Sequence, residues 1–253
     1  MKVKPLAVLK MSCIFVILKP LLLLVALQIL FDDTTQAAPT TNADTKPLSN
    51  WLNRSGTETT TTTATDEHSS SKAKSNLKWT SRSAWQAAPA IHIPTRITGA
   101  VGGVSHVIIH HTATPAAACR QSTNACAATI RAVQHNHQQQ RGWDDIGYNF
   151  LIGGSEERAE IYEGRGFGVV GAHAVGYNAR SVGIAVIGDW TADLPPGPVL
   201  EKMQDLIAYG VQKGHIQRNY VLLGHRQVKA TDCPGSRLYN ELKEWPHYEQ
   251  HAV

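Results

Sequence analysis

Two distant segments of the chain carry side chains able to hold a metal ion. Near the C-terminal end Gly224-His225-Arg226 is followed by Thr231-Asp232-Cys233-Pro234-Gly235, and far upstream lies Val107-Ile108-Ile109-His110-His111-Thr112. Imidazole and thiolate are ligands that suit zinc. Three protein ligands leave a fourth position for water, which is how a catalytic rather than a structural site is built. His110 and His111 end an apolar run that reads as a strand, where successive side chains point to opposite faces. Only one of the two therefore faces a given metal easily. Cys233 follows His225 by eight residues, in a segment that Pro234 steers away from helix, so a loop must bring the pair together. Each residue alone has a plainer reading: a strand histidine as a structural hydrogen-bonder, Cys233 as a buried inert thiol. The combination points to a His/His/Cys zinc site.

The elements that must present these residues alternate in type. His106–His110, Tyr148–Gly153, Val182–Ile187 and Tyr220–Leu223 are short runs rich in Val, Ile and Leu, bounded by Gly or polar residues, and read as buried strands. Cys126, Ile130, Val133 and His137 recur at helical spacing towards Gln140. Val199, Met203, Leu206, Ile207 and Val211 form a second helical stripe, begun near Pro198 and stopped by Gly214, and a short third helix is expected after Pro234. Strands alternating with helices imply an α/β layer fold, and residues 77–253 have the size and apolar content of one domain.

The N-terminus sets the compartment. Lys2, Lys4 and Lys10 precede a largely apolar run from Met11 to Phe31, and Ala37-Ala38 follow as small residues. This reads as a signal peptide over residues 1–37, cut after Ala37. The alternative is an uncleaved membrane anchor of about spanning length, against which Lys19-Pro20 in the middle of the run argues. Residues 38–76 are polar, with an unbroken Thr59–Thr63 run and Ser69-Ser70-Ser71. Such a segment buries too little apolar surface to offset chain entropy and is expected to be a disordered Ser/Thr-rich linker, with Asn53-Arg54-Ser55 as a glycosylation acceptor. The formal charge of +4 falls to about +2 once residues 1–37 are removed. That is too mild to suggest nucleic acid, and no basic run supports it.

Of the four cysteines, Cys13 leaves with the signal peptide. In an oxidising compartment Cys119 and Cys126 are the natural disulfide pair, and Cys233 is left for another use. Seven residues of continuous helix would hold two Cα atoms about 10.5 Å apart, too far for a bridge, so at least one of the pair lies in a loop.

The chain resembles the peptidoglycan recognition protein family, the animal relatives of bacteriophage-type N-acetylmuramoyl-L-alanine amidases. The resemblance runs through Ser81-Arg82-Ser83-Ala84-Trp85, the His110 segment, Gly142-Trp143-Asp144-Asp145-Ile146-Gly147-Tyr148-Asn149-Phe150, Tyr162-Glu163-Gly164-Arg165-Gly166, Gly171-Ala172-His173-Ala174, Ser181-Val182-Gly183-Ile184 and the His225–Cys233 segment. It implies a single amidase-type domain with a central mixed β-sheet flanked by about three helices. It also implies Zn2+ on His110, His225 and Cys233, Tyr148 as a catalytic donor to the oxyanion, and Thr231 positioning the water or the intermediate. The Cys119–Cys126 pair matches the family's usual disulfide. The reaction implied is hydrolysis of the amide joining the muramic lactyl group to L-alanine.

Gly142, Trp143 and Arg165 match positions that favour diaminopimelic-acid peptidoglycan. Diaminopimelate carries a carboxylate that lysine lacks, and an arginine can pair with it in a fork. His111, Thr112, His137, Arg141, His173 and Asn178 match other groove-lining positions. The run from Gly153 to Glu160 is longer than the tight turn usual there. The expected partners are bacterial peptidoglycan and its muropeptide fragments, with no nucleic acid and no stable membrane association after signal cleavage. The expected location is extracellular. A non-catalytic recognition receptor is the alternative, and the complete ligand set argues against it.

Overall fold

The computed structural model describes residues 77–114, 119 and 122–252. The signal-peptide and linker expectations lie outside the described residues. Among those described, no helix is long and apolar enough to cross a membrane.

The strands are β1 (Val104–His111), β2 (Phe150–Gly154), β3 (Ala159–Glu163), β4 (Ser181–Val186) and β5 (Ile216–Gly224). They form one sheet in the order β3-β2-β4-β1-β5. β1 runs parallel to both β4 and β5, β2 runs parallel to β4, and β3 closes the edge antiparallel to β2. The sheet is mixed, as expected, and its inner parallel strands β1, β2 and β4 are buried on both faces. That is why their sequences read as nearly continuous apolar runs.

The helices are α1 (Thr123–His135), α2 (Gly197–Gln212) and α3 (Ser236–Leu242). Ser122 starts α1 by accepting from the Ala125 amide at 3.2 Å, which satisfies one of the helix's orphan donors. Instead of running on to Gln140, the helix widens into a π-turn over Asn136–Gln140. Val107 and Ile109 join the core packed under Met203, Leu206 and Ile207 of α2, whereas Ile108 packs with Leu223 and Ala174 on the opposite face. Strand alternation thus sends His110, which shares parity with Ile108, away from α2.

β3 is an addition to the strands legible in the sequence. Its pairing with β2 runs from Phe150↔Glu163 to Gly154↔Ala159, and the Ser155 amide donates to the Arg158 carbonyl at 2.7 Å. Half of the Gly153–Glu160 segment is therefore strand, and the stretch 155–158 is left as a turn.

Cys119 and Cys126 form a disulfide with a Cα–Cα distance of 4.3 Å, Cys126 inside α1 and Cys119 ahead of it. Both are buried beside Leu151 and Ile187. Closing so short a loop is worth about 2–3 kcal/mol on the chain-entropy account. The paired substitutions Cys119→Ser and Cys126→Ser are expected to lower unfolding free energy by that amount. A denaturant titration checks it, and an unchanged midpoint would show the bridge to be dispensable.

Candidate active site

The parallel pairing of β1 with β5 explains why two histidines more than a hundred residues apart converge. Ile109 is in register with Gly224, so the next residues, His110 and His225, leave adjacent strands at the same sheet edge. Their ring centroids lie 4.3 Å apart. This is the carboxyl end of the parallel strands, where open α/β sheets bind ligands. After a 3-10 turn at His225–Gln227 the chain loops back. The loop is closed by the Arg226 amide donating to the Cys233 carbonyl at 2.9 Å. Cys233 Sγ then accepts from the His111 amide at 3.4 Å and stands 3.7 Å from His110 Nδ1.

One ligand atom from each of His110, His225 and Cys233 lies within 4.8 Å of the others. His225 Nε2 is buried and has no hydrogen-bond partner among the described residues. A buried, unpartnered imidazole nitrogen beside a second imidazole and a thiol is the donor chemistry zinc takes, so these residues fit that ion. Burial, reinforced by His173, His225 and His111, holds the His110 pKa well below its ordinary value. Burial, then Lys229 and His111, lowers that of His225 to about 4. Both rings are therefore neutral and ligand-competent at physiological pH. Burial pushes the Cys233 thiol up to about 12, against smaller opposing effects of the His111 amide and Arg226.

The adjacent His111 turns its ring away from the ligand cluster, with Nδ1 accepting from the Trp190 amide at 3.4 Å and lying 3.7 Å from Asp189. Tyr148 stands just before β2 with its ring 5.3 Å from His110. Burial first, and Cys233 second, raise its pKa far above the usual phenol range, so its hydroxyl stays a proton-bearing donor. His137 sits in the π-turn, a distortion that recurs at functional sites. Its Nδ1 accepts from the Gly147 amide at 3.0 Å, and its ring packs 4.6 Å from Trp143 and 5.6 Å from Tyr148. Burial, then Arg141 and Arg165, lower its pKa to about 4. Arg141 itself lies over the Trp143 ring at 5.3 Å.

These residues share a groove of about 530 Å³ lined by His110, His111, His137, Arg141, Trp143, Tyr148, His173, Asn178, His225, Thr231 and Cys233 together with Ala113, Val175 and Lys229, among others. Thr231 Oγ1 accepts from the Cys233 amide at 3.3 Å, shaping the loop that carries the thiol. Three anticipated residues do not line the groove. Thr112 Oγ1 accepts from the Gly188 amide at 2.9 Å. Gly142 adopts φ +65 with open space where a Cβ would stand, so its backbone conformation is what favours glycine. Arg165 donates from Nε and Nη1 to the carbonyls of Ile146 and Val170 at 2.7 and 2.9 Å, while its charge still acts on His137 and His173.

Two residues at the site were given no role from the sequence. Lys229 stands out only by lying between His225 and Cys233. Asn149 is fully buried, donating to the carbonyls of Gly166 and Val169 and accepting from the Gly183 amide, each at 2.9 Å, which anchors the backbone next to Tyr148.

A mixed sheet with such a groove at its carboxyl edge defines an amidase-type domain. A family profile described as N-acetylmuramoyl-L-alanine amidase matches residues 100–236, and this chain belongs to that family, which includes the peptidoglycan-recognition proteins. Peptidoglycan-recognition protein LB of Drosophila melanogaster is 49% identical over 168 residues, covering 66% of this chain and 68% of its own length. The human N-acetylmuramoyl-L-alanine amidase is 41% identical over 168 residues, 66% of this chain but only 28% of that protein. A tyrosine-to-phenylalanine variant of Drosophila PGRP-LB, solved in complex with tracheal cytotoxin, superposes with a TM-score of 0.62 at 48% identity. It covers 67% of this chain and 95% of the solved one.

Proposed function

We propose that this chain is a secreted, zinc-dependent N-acetylmuramoyl-L-alanine amidase acting on peptidoglycan of the diaminopimelic-acid type. The observation that carries the reading is the convergence of His110, His225 and Cys233 within 4.8 Å in the groove that Tyr148 also lines. Those three side chains would hold the ion, which when bound supplies a Lewis acid for the amide carbonyl and brings the pKa of water near neutrality. The remaining work falls to the chain. The Tyr148 hydroxyl, kept protonated by burial, donates to the oxygen on which negative charge develops. Thr231 holds the Cys233 loop in shape, and the packed rings of His137 and Trp143 line the groove. Kinship to a protein solved with tracheal cytotoxin supports a muropeptide ligand. The disulfide supports an oxidising compartment.

Incubation with diaminopimelic-acid peptidoglycan, followed by assay of newly exposed peptide amino groups, tests the reading. Binding without new amino groups in zinc-loaded protein would leave a recognition receptor. The diaminopimelate preference rests on the resemblance at Gly142, Trp143 and Arg165; Arg165, held by the Ile146 and Val170 carbonyls outside the lining of the groove, would act on a ligand carboxylate through its charge. Arg165→Ala is expected to weaken binding of a diaminopimelate muropeptide about 10- to 100-fold, the worth of a charged hydrogen bond. Binding of a lysine-type peptide should barely change. Calorimetry on both peptides decides this, and equal losses on the two would remove Arg165 from the selectivity.

A further inference from the structure

We infer that His173 is a positioning residue that locks His110 in the tautomer able to bind metal. The inference rests on the zinc reading proposed above. The argument starts from an atom with only one possible role. The Tyr177 carbonyl can only accept, and Ser181 Oγ donates to it at 2.8 Å. With its proton so committed, Ser181 Oγ is an acceptor towards His173 Nε2, 3.4 Å away, and His173 therefore carries its proton on Nε2. A neutral imidazole has one N–H, so His173 Nδ1 is a lone pair. That nitrogen lies 3.0 Å from His110 Nε2, which must be the donor. His110 Nδ1 is thereby left with a lone pair, and it is Nδ1 that faces Cys233 Sγ.

The arrangement is built around the His173 ring. A Cβ at either Gly171 or Gly183 would collide with its Cδ2 atom, so both glycines make room for the imidazole. Asn178 Oδ1 accepts from the amides of His173 and Ala174, both at 2.8 Å, and pins the backbone. His173 is 8% exposed, and both of its ring nitrogens have partners within the protein. Metal-binding histidines usually give their second N–H to a carboxylate, carbonyl or water, and such partners govern metal affinity. A neutral imidazole in that place would orient His110 without adding negative charge to the site.

Two measurements on the full chain test this. Two-bond 15N–1H spectra of metal-free wild-type protein should show both His110 and His173 protonated on Nε2. In chelator competition, His173→Phe, which keeps a ring but loses the acceptor, should bind zinc about 10- to 100-fold more weakly than wild type. His173→Asn, whose Oδ1 stands near the lost Nδ1, should recover most of that loss. A His110 protonated on Nδ1, or a His173→Phe variant as tight as wild type, would overturn the assignment. Wild-type protein that binds no zinc would sink the metal reading itself, while the spectra would still decide the tautomer.

Discussion

Cys233→Ser is expected to abolish peptide release while leaving a folded protein that still binds muropeptide. The substitution changes one atom. The contacts that place the loop, the Arg226 amide on the residue 233 carbonyl and the residue 233 amide on Thr231 Oγ1, are made by backbone. What is lost is the thiolate. A serine hydroxyl titrates far above neutrality and is a poor zinc ligand, so affinity should fall by more than the roughly 100-fold that even an outer-sphere change can cost. The proton count offers a second readout. Without metal the thiol is held protonated, its pKa near 12, whereas His110 and His225 are already neutral. Zinc binding at neutral pH should therefore release about one proton from wild-type protein and none of that origin from the serine variant. Calorimetry in buffers of different ionisation enthalpy measures this. Zinc binding of equal strength by both proteins would remove Cys233 from the ligand set.

Tyr148→Phe should separate catalysis from metal binding. The phenyl ring preserves the packing against His110 and His137 and loses only the hydroxyl. Removal of one donor to a developing oxyanion typically costs about 100- to 1,000-fold in kcat. Zinc content and KM should change little, because the lost interaction matters mainly in the transition state. The raised pKa of Tyr148 adds a sign to the pH profile. The donor form persists above pH 10, so activity should not fall through the ordinary phenol range on account of this residue. Steady-state kinetics of the variant with its zinc content measured alongside provides the check. A loss of zinc parallel to the loss of rate would make Tyr148 a structural support for His110 instead.

Much of the fold was legible because buried parallel strands and amphipathic helices write themselves as apolar runs and stripes. β3 was not. In Ala159-Glu160-Ile161-Tyr162-Glu163 only Ile161 and Tyr162 are fully buried, and an edge strand with polar residues at its ends does not stand out from a loop. The π-turn at Asn136–Gln140 also escaped, since periodicity at helical spacing does not distinguish the last turn's hydrogen-bond pattern. At the site, residue types alone suggested zinc, and alternation alone required a choice between His110 and His111. The convergence itself depends on the β1–β5 register, a long-range pairing that local sequence does not encode. The partnership of His110 with His173 depends further on the room left by Gly171 and Gly183.

The most direct test of the account is a reconstitution titration. Wild-type protein is stripped with chelator, titrated with zinc, and assayed at each point for peptide released from diaminopimelic-acid peptidoglycan. Release should be absent in the stripped protein and rise linearly to a plateau at about one zinc per chain, the stoichiometry of a three-ligand catalytic site. Release that survives complete stripping, or none at full zinc occupancy, would contradict it.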